Sequence, residues 1–124
     1  MLKKTITYVD YNDNERTEDF YFNLTKAEIT EMELSTSGGM VAKINRIVAA
    51  QDGGEIIRLA KEIILKSYGE KSPDGHRFIK SEELSIAFSQ TEAYVEIFMA
   101  FATNPEAAAA FVNGVIPQDF PEKK

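Results

Sequence analysis

A chain of 124 residues has the length of one ordinary domain, and its 44% apolar content suffices for one compact core. The absence of cysteine excludes disulfides, thiolate zinc sites and cysteine nucleophiles together. Acidic residues outnumber basic ones 20 to 14 and the basic ones are scattered, so the net charge of −6 argues against phosphate-contacting nucleic-acid binding and against anionic membrane as partners.

Met1-Leu2-Lys3-Lys4 runs directly into Thr-Ile-Thr-Tyr with no apolar stretch, which does not read as a secretion signal. Thr5-Ile6-Thr7-Tyr8-Val9 is β-branched and aromatic and predicts a strand. Asn12-Asp13-Asn14 predicts a turn. Phe20, Phe22 and Leu24 then alternate with Asp19, Tyr21 and Asn23, giving a second strand with one apolar face. A lone hairpin is marginal in water, so that face must cover helices.

Thr25-Lys26-Ala27-Glu28 is a capping-box sequence and predicts a short helix to about Leu34, broken by Ser35-Thr36-Ser37-Gly38-Gly39. From Met40, the residues Met40, Val41, Ile44, Ile47 and Val48 share one helical face, and Asp52-Gly53-Gly54 ends that helix. The next helix is expected over about 55–68, with Gly69 at a left-handed position just past its end. Ser72-Pro73-Asp74-Gly75 is a turn, and 76–80 is read as a connector. Ser81 caps a further helix, 91–103 is helical, and Asn104-Pro105 caps a last helix that Gly114 stops. The expected fold is α+β, mostly α: a hairpin over about 4–24 packed on five to six short helices over about 26–113. These form one domain, 1–114, followed by a flexible tail over 115–124.

Sites for chemistry fail on inspection. His76 is the one histidine, beside a Pro-Asp-Gly turn, and lacks the further nitrogen or sulfur ligands that zinc needs. Asp10–Glu15 resembles the front of a calcium loop, but Glu15 stands where the loop needs glycine and Tyr21 where it needs glutamate. Gly38-Gly39 and Gly53-Gly54 precede helices without matching a P-loop or dinucleotide fingerprint, and read as interhelical turns. Glu82 and Glu83 diverge on a helix and supply first-turn charge. No catalytic residue, cofactor or metal is expected. In Tyr94–Ala102 only Glu96 is charged. Tyr94, Ile97, Phe98 and Phe101 are read as one face, and Val95, Met99 and Ala102 as another. Such a helix is either central in its own fold or covered by a partner, and both readings stay open at this point. The most apolar segment, Ala93 to Ala102, is far short of the ~20 residues that a bilayer span needs.

The order of segments carries a resemblance. Thr-Ile-Thr-Tyr-Val-Asp-Tyr, then Glu18–Leu24, then Thr25-Lys26-Ala27-Glu28 with Met32-Glu33 come first. Ile63-Ile64-Leu65-Lys66-Ser67-Tyr68-Gly69, Ser72-Pro73-Asp74-Gly75 and Arg77-Phe78-Ile79-Lys80 follow. Phe88-Ser89-Gln90-Thr91-Glu92-Ala93-Tyr94 and Phe111-Val112-Asn113-Gly114 complete the set. Together they resemble the tail assembly chaperones of long-tailed (siphovirus-type) phages or prophages of Gram-positive bacteria. The resemblance implies a non-enzymatic protein of the host cytoplasm, absent from the mature virion. Its implied work is to bind the tape-measure protein and help recruit tail-tube protein. It also implies a possible homo-oligomer and, in many members, a longer frameshifted form, with which the terminal Lys123-Lys124 is compatible. The protein-binding surface is expected at Tyr94, Phe98, Met99 and Phe101. Competing readings are a phage structural or head–tail component, an acidic decoy that binds a host factor, and an enzyme with carboxylates gathered around His76.

Overall fold

The computed structural model describes residues 1–116; of the tail expected over 115–124, residues 117–124 lie outside the described residues. Strands β1 (Leu2–Val9) and β2 (Glu15–Phe22) form an unbroken antiparallel ladder from Leu2↔Phe22 to Val9↔Glu15. This register places Leu2, Ile6, Tyr8, Phe20 and Phe22 on the face that packs against helices. Lys3, Thr5, Thr7, Thr17 and Asp19 stay on the solvent face. There Thr5 donates to Asp19 at 2.6 Å and Thr7 meets Thr17 at 2.9 Å, cross-strand pairs that hold the outer surface.

Helix α1 (Lys26–Ser35) begins with the expected capping box, in which Thr25 and Glu28 satisfy each other's backbone amides. Helix α2 (Met40–Ala50) follows the glycine break and ends at Gln51, itself left-handed at φ 56°. Asp52 does not end α2 but caps α3 (Gly53–Ser67), which therefore starts two residues earlier than the sequence suggests. Ile56, Leu59, Ala60, Ile63 and Ile64 of α3 are buried and make it the central helix.

Two strands escape the sequence reading. Strand β3 (Tyr68–Lys71) follows α3 without a break and pairs with β2 through Tyr21↔Gly69 and Phe22↔Tyr68. Strand β4 (Phe78–Ile79), placed in the expected connector, pairs with β3 across the predicted Ser72–Gly75 turn. The result is a four-stranded antiparallel sheet in the order β1-β2-β3-β4. Gly69 is not the left-handed end of a helix; it lies in β3. A Cβ there would stand 2.6 Å from the Phe78 ring and 2.7 Å from the Ile79 carbonyl, so the bare backbone permits the β3–β4 approach.

Helices α4 (Glu82–Ser89) and α6 (Pro105–Val115) start at the predicted caps Ser81 and Asn104, and α5 (Glu92–Ala102) starts after Thr91, which caps the segment expected to be helical. Gly114 does not stop α6, which runs on to Val115 and buries it in the core. The molecule is α+β and mostly α, with the hairpin sheet lying against helices. Lys80 fastens three segments: its Nζ donates to the Asn23 carbonyl and the Glu28 carboxylate, each at 2.7 Å, and to the Lys66 carbonyl at 3.3 Å. The Phe22 ring is fully buried and lies 5.9, 6.0 and 5.3 Å from the rings of Tyr68, Phe88 and Phe111. Removing that ring leaves a cavity where sheet and helices meet. Phe22→Ala is expected to lower the unfolding free energy by about 3–5 kcal/mol, measured by urea denaturation; a loss below about 1 kcal/mol contradicts this packing.

Candidate functional site

The positions singled out in the sequence divide sharply in the structure. His76 is exposed, and its Nδ1 lies 3.2 Å from Asp74 Oδ2. Asp74 accepts from the His76 amide at 3.0 Å and the Ser72 hydroxyl at 2.7 Å, which, together with the His76 ring, hold its carboxyl below the ordinary value. These are bonds that shape the β3–β4 turn. Asp10 is similarly committed: its Oδ1 accepts from the Asn12 and Asn14 amides at 2.9 and 3.0 Å, and its Oδ2 from Arg16. The glycine turns hold their own anions. Glu33 Oε1 accepts from the Val41 amide at 2.9 Å at the start of α2. Gly39 makes room for it, since a Cβ there would stand 2.4 Å from Glu33 Oε2. Among the described residues no three His, Cys, Asp or Glu side chains group to hold a metal ion, and no helix is long and apolar enough to cross a membrane.

What remains is α5. Thr91 caps it, accepting from the Tyr94 amide at 3.2 Å while donating to the Phe88 carbonyl at 2.8 Å. Ala93, Ile97 and Phe101 recur every four residues and point into the core. Phe101 is 2% exposed, packs on Phe111 at 5.2 Å and lies beneath the Lys4 ammonium. It is therefore a core residue, and neither it nor Ile97 shares the face of Tyr94 and Phe98. The reason is helical phase: one position further along turns a side chain by about 100°, enough to leave the core.

Tyr94 and Phe98 are half-buried and stack on each other at 6.0 Å, with Tyr94 also edge-on to Phe88 at 5.8 Å. Burial raises the Tyr94 phenol above its ordinary pKa. Beside this pair, Val95 is 39% and Met99 50% exposed, so an apolar strip runs along the outer side of α5. Exposed Glu96 borders it, and Glu92, at the start of the helix, accepts from the Tyr11 hydroxyl at 2.8 Å. Among the described residues, the helix is thus core on one side and unpartnered on the other. On the other helices, sequence reasoning passed over two exposed large apolar residues, Leu34 on α1 and Ile86 on α4. Both were legible as residues out of phase, since Ile29 and Met32 face inward on α1, and Leu84 and Phe88 do so on α4.

The hairpin turn gives a pH test. The Arg16 guanidinium, followed by the Asn14 amide, holds the Asp10 carboxyl below its ordinary 3.8. A lowered carboxylate stabilises the fold above the unfolded value and stops doing so as pH falls through the folded one. The Asn14 amide shift is therefore expected to titrate with a midpoint below 3.8; an NMR midpoint at or above that value contradicts the assignment.

No curated protein and no solved structure gives a significant match to the chain. A family model described as phage tail assembly chaperone matches residues 1–124, the whole length. With that coverage, the chain belongs to the phage tail assembly chaperone family.

Proposed function

We propose that this chaperone binds the tape-measure protein, keeps its apolar helices in solution and helps recruit tail-tube subunits. It would do so in the bacterial cytoplasm and without entering the finished virion. The resemblance in segment order supports a long-tailed phage or prophage of a Gram-positive host as its source. No bond is made or broken in this role; the work is the covering of apolar surface.

The observation that carries this reading is the strip formed by Tyr94, Val95, Phe98 and Met99 on α5. A long helical protein awaiting assembly presents apolar stripes at helical spacing, and a helix with a matching exposed strip can cover them. Methionine adapts to irregular partners, which suits a repetitive target. Burying one such side chain contributes about 1.5–3 kcal/mol. Glu92 and Glu96 lie beside the strip, and the net charge of −6 keeps a complex dispersed.

The test is co-expression with the tape-measure protein encoded by the same phage. The partner is expected to become more soluble and to co-purify. Val95→Glu with Met99→Glu should abolish the complex while changing the chaperone's own stability by no more than about 1 kcal/mol, because both sites are exposed. Unchanged solubility with no complex sinks the proposal, and a complex that survives the double substitution moves it off α5.

A further inference from the structure

A second surface is defined by backbone geometry. Among the described residues, strand β1 is the outermost strand of the sheet and pairs only with β2. The hairpin turn fixes which of its groups face outward. The Asp10 amide donates to the Asn14 carbonyl at 2.9 Å, so residues 10 and 14 form a hydrogen-bonded pair. Such pairs alternate along an antiparallel ladder, and this one has no bulge. Even-numbered residues of β1 therefore bond β2, while the N–H and C=O groups of Lys3, Thr5, Thr7 and Val9 point away from the sheet. No proline or bulge blocks that edge.

Helix α5 runs beside the same edge. Between Thr5, Ile6 and Thr7 of the strand and Glu96, Ile97 and Ala100 of the helix lies an open cleft of about 260 Å³. Ala100 leaves the cleft unfilled on the helix side. Lys4 lines it too, and among the described residues neither Lys4 nor Glu96 has an ion-pair partner.

We infer that this edge and cleft form a strand-addition site for an extended segment of a partner protein, one with alternating basic, apolar and acidic side chains. The four outward donor–acceptor pairs call for β-conformation backbone. Side chains of an added strand that point to the helix side arrive at every second residue. An apolar one meets Ile97 and Ala100, a basic one meets Glu96, and an acidic one meets Lys4. A second copy of β1 does not fit. It would bring its own α5 alongside, and adjacent strands lie about 4.8 Å apart whereas helices are about 10 Å across. An extended segment carries no such helix. This site is distinct from the outer strip of α5, and its test does not depend on that strip.

The probe is the synthetic peptide Thr-Lys-Thr-Val-Thr-Glu-Thr, added to the full-length chain at about millimolar concentration. Amide exchange at Lys3, Thr5, Thr7 and Val9 is expected to slow by about tenfold, with the even-numbered amides unaffected. Thr5→Pro deletes one outward N–H while sparing the β1–β2 bonds, and should abolish that protection. Glu96→Lys, an exposed change, should weaken binding by about tenfold, and replacing the peptide's Lys with Glu should restore it. Absence of any protection, or protection untouched by Thr5→Pro and Glu96→Lys, overturns the inference. So does protection already present in the free chain. If that protection grows with protein concentration, the occupant is a second copy; if it vanishes on truncation after Ile116, the occupant is the chain's own C-terminal segment.

Discussion

The fold depends on one convergence of rings. Phe22 ends β2 with no surface exposed, and Tyr68, Phe88 and Phe111 close around it from the start of β3, from α4 and from α6. Tyr68 stacks flat on Phe88 at 4.2 Å, so the α3–β3 junction and α4 are held by one contact. Tilted and edge-on ring pairs contribute beyond the area they bury, and here they join segments far apart in the chain. The same cluster fixes α5 through Phe101 against Phe111 and Tyr94 against Phe88. The exposed strip on α5 is thus carried by a helix whose rotation is locked from beneath. A binding face held in one orientation loses less entropy on association than one that must be ordered first.

Much of this was legible because helix starts are written locally. Thr25, Ser81, Thr91 and Asn104 are short polar side chains that bond the amide three residues on, and each begins a helix where one was expected. Strands β3 and β4 were not legible, because four and two residues carry no periodicity, and β3, on which β4 pairs, is itself held by the distant β2. Gly69 misled for a related reason: a glycine after a helix usually signals a left-handed turn, whereas this one makes room for Phe78. On α5 the apolar segment was visible but its phase was not. Phe101 and Phe98 look alike in composition, and only the position of the core separates them.

The anionic surplus has a structural share as well as a colloidal one. Glu33 and Asp52 cap helix starts, Glu28 serves both a cap and Lys80, and Asp10 and Asp74 shape turns. The carboxylates at these turns and caps are thus bonded to the backbone nearby. The apolar strip of α5 is a feature that the fold itself does not use.

The ring cluster also orders events during synthesis. The hairpin leaves the ribosome ahead of the helices, and the rings that cover Phe22 come from residues 68, 88 and 111. At translation rates of about 5–20 residues per second, the apolar face of that hairpin waits on the order of ten seconds for its last cover. Lys3 and Lys4 lie on the nascent strand through this interval, and charges there discourage pairing with neighbouring chains on the same message. A protein whose family assists the assembly of others thus passes through an unprotected stage of its own.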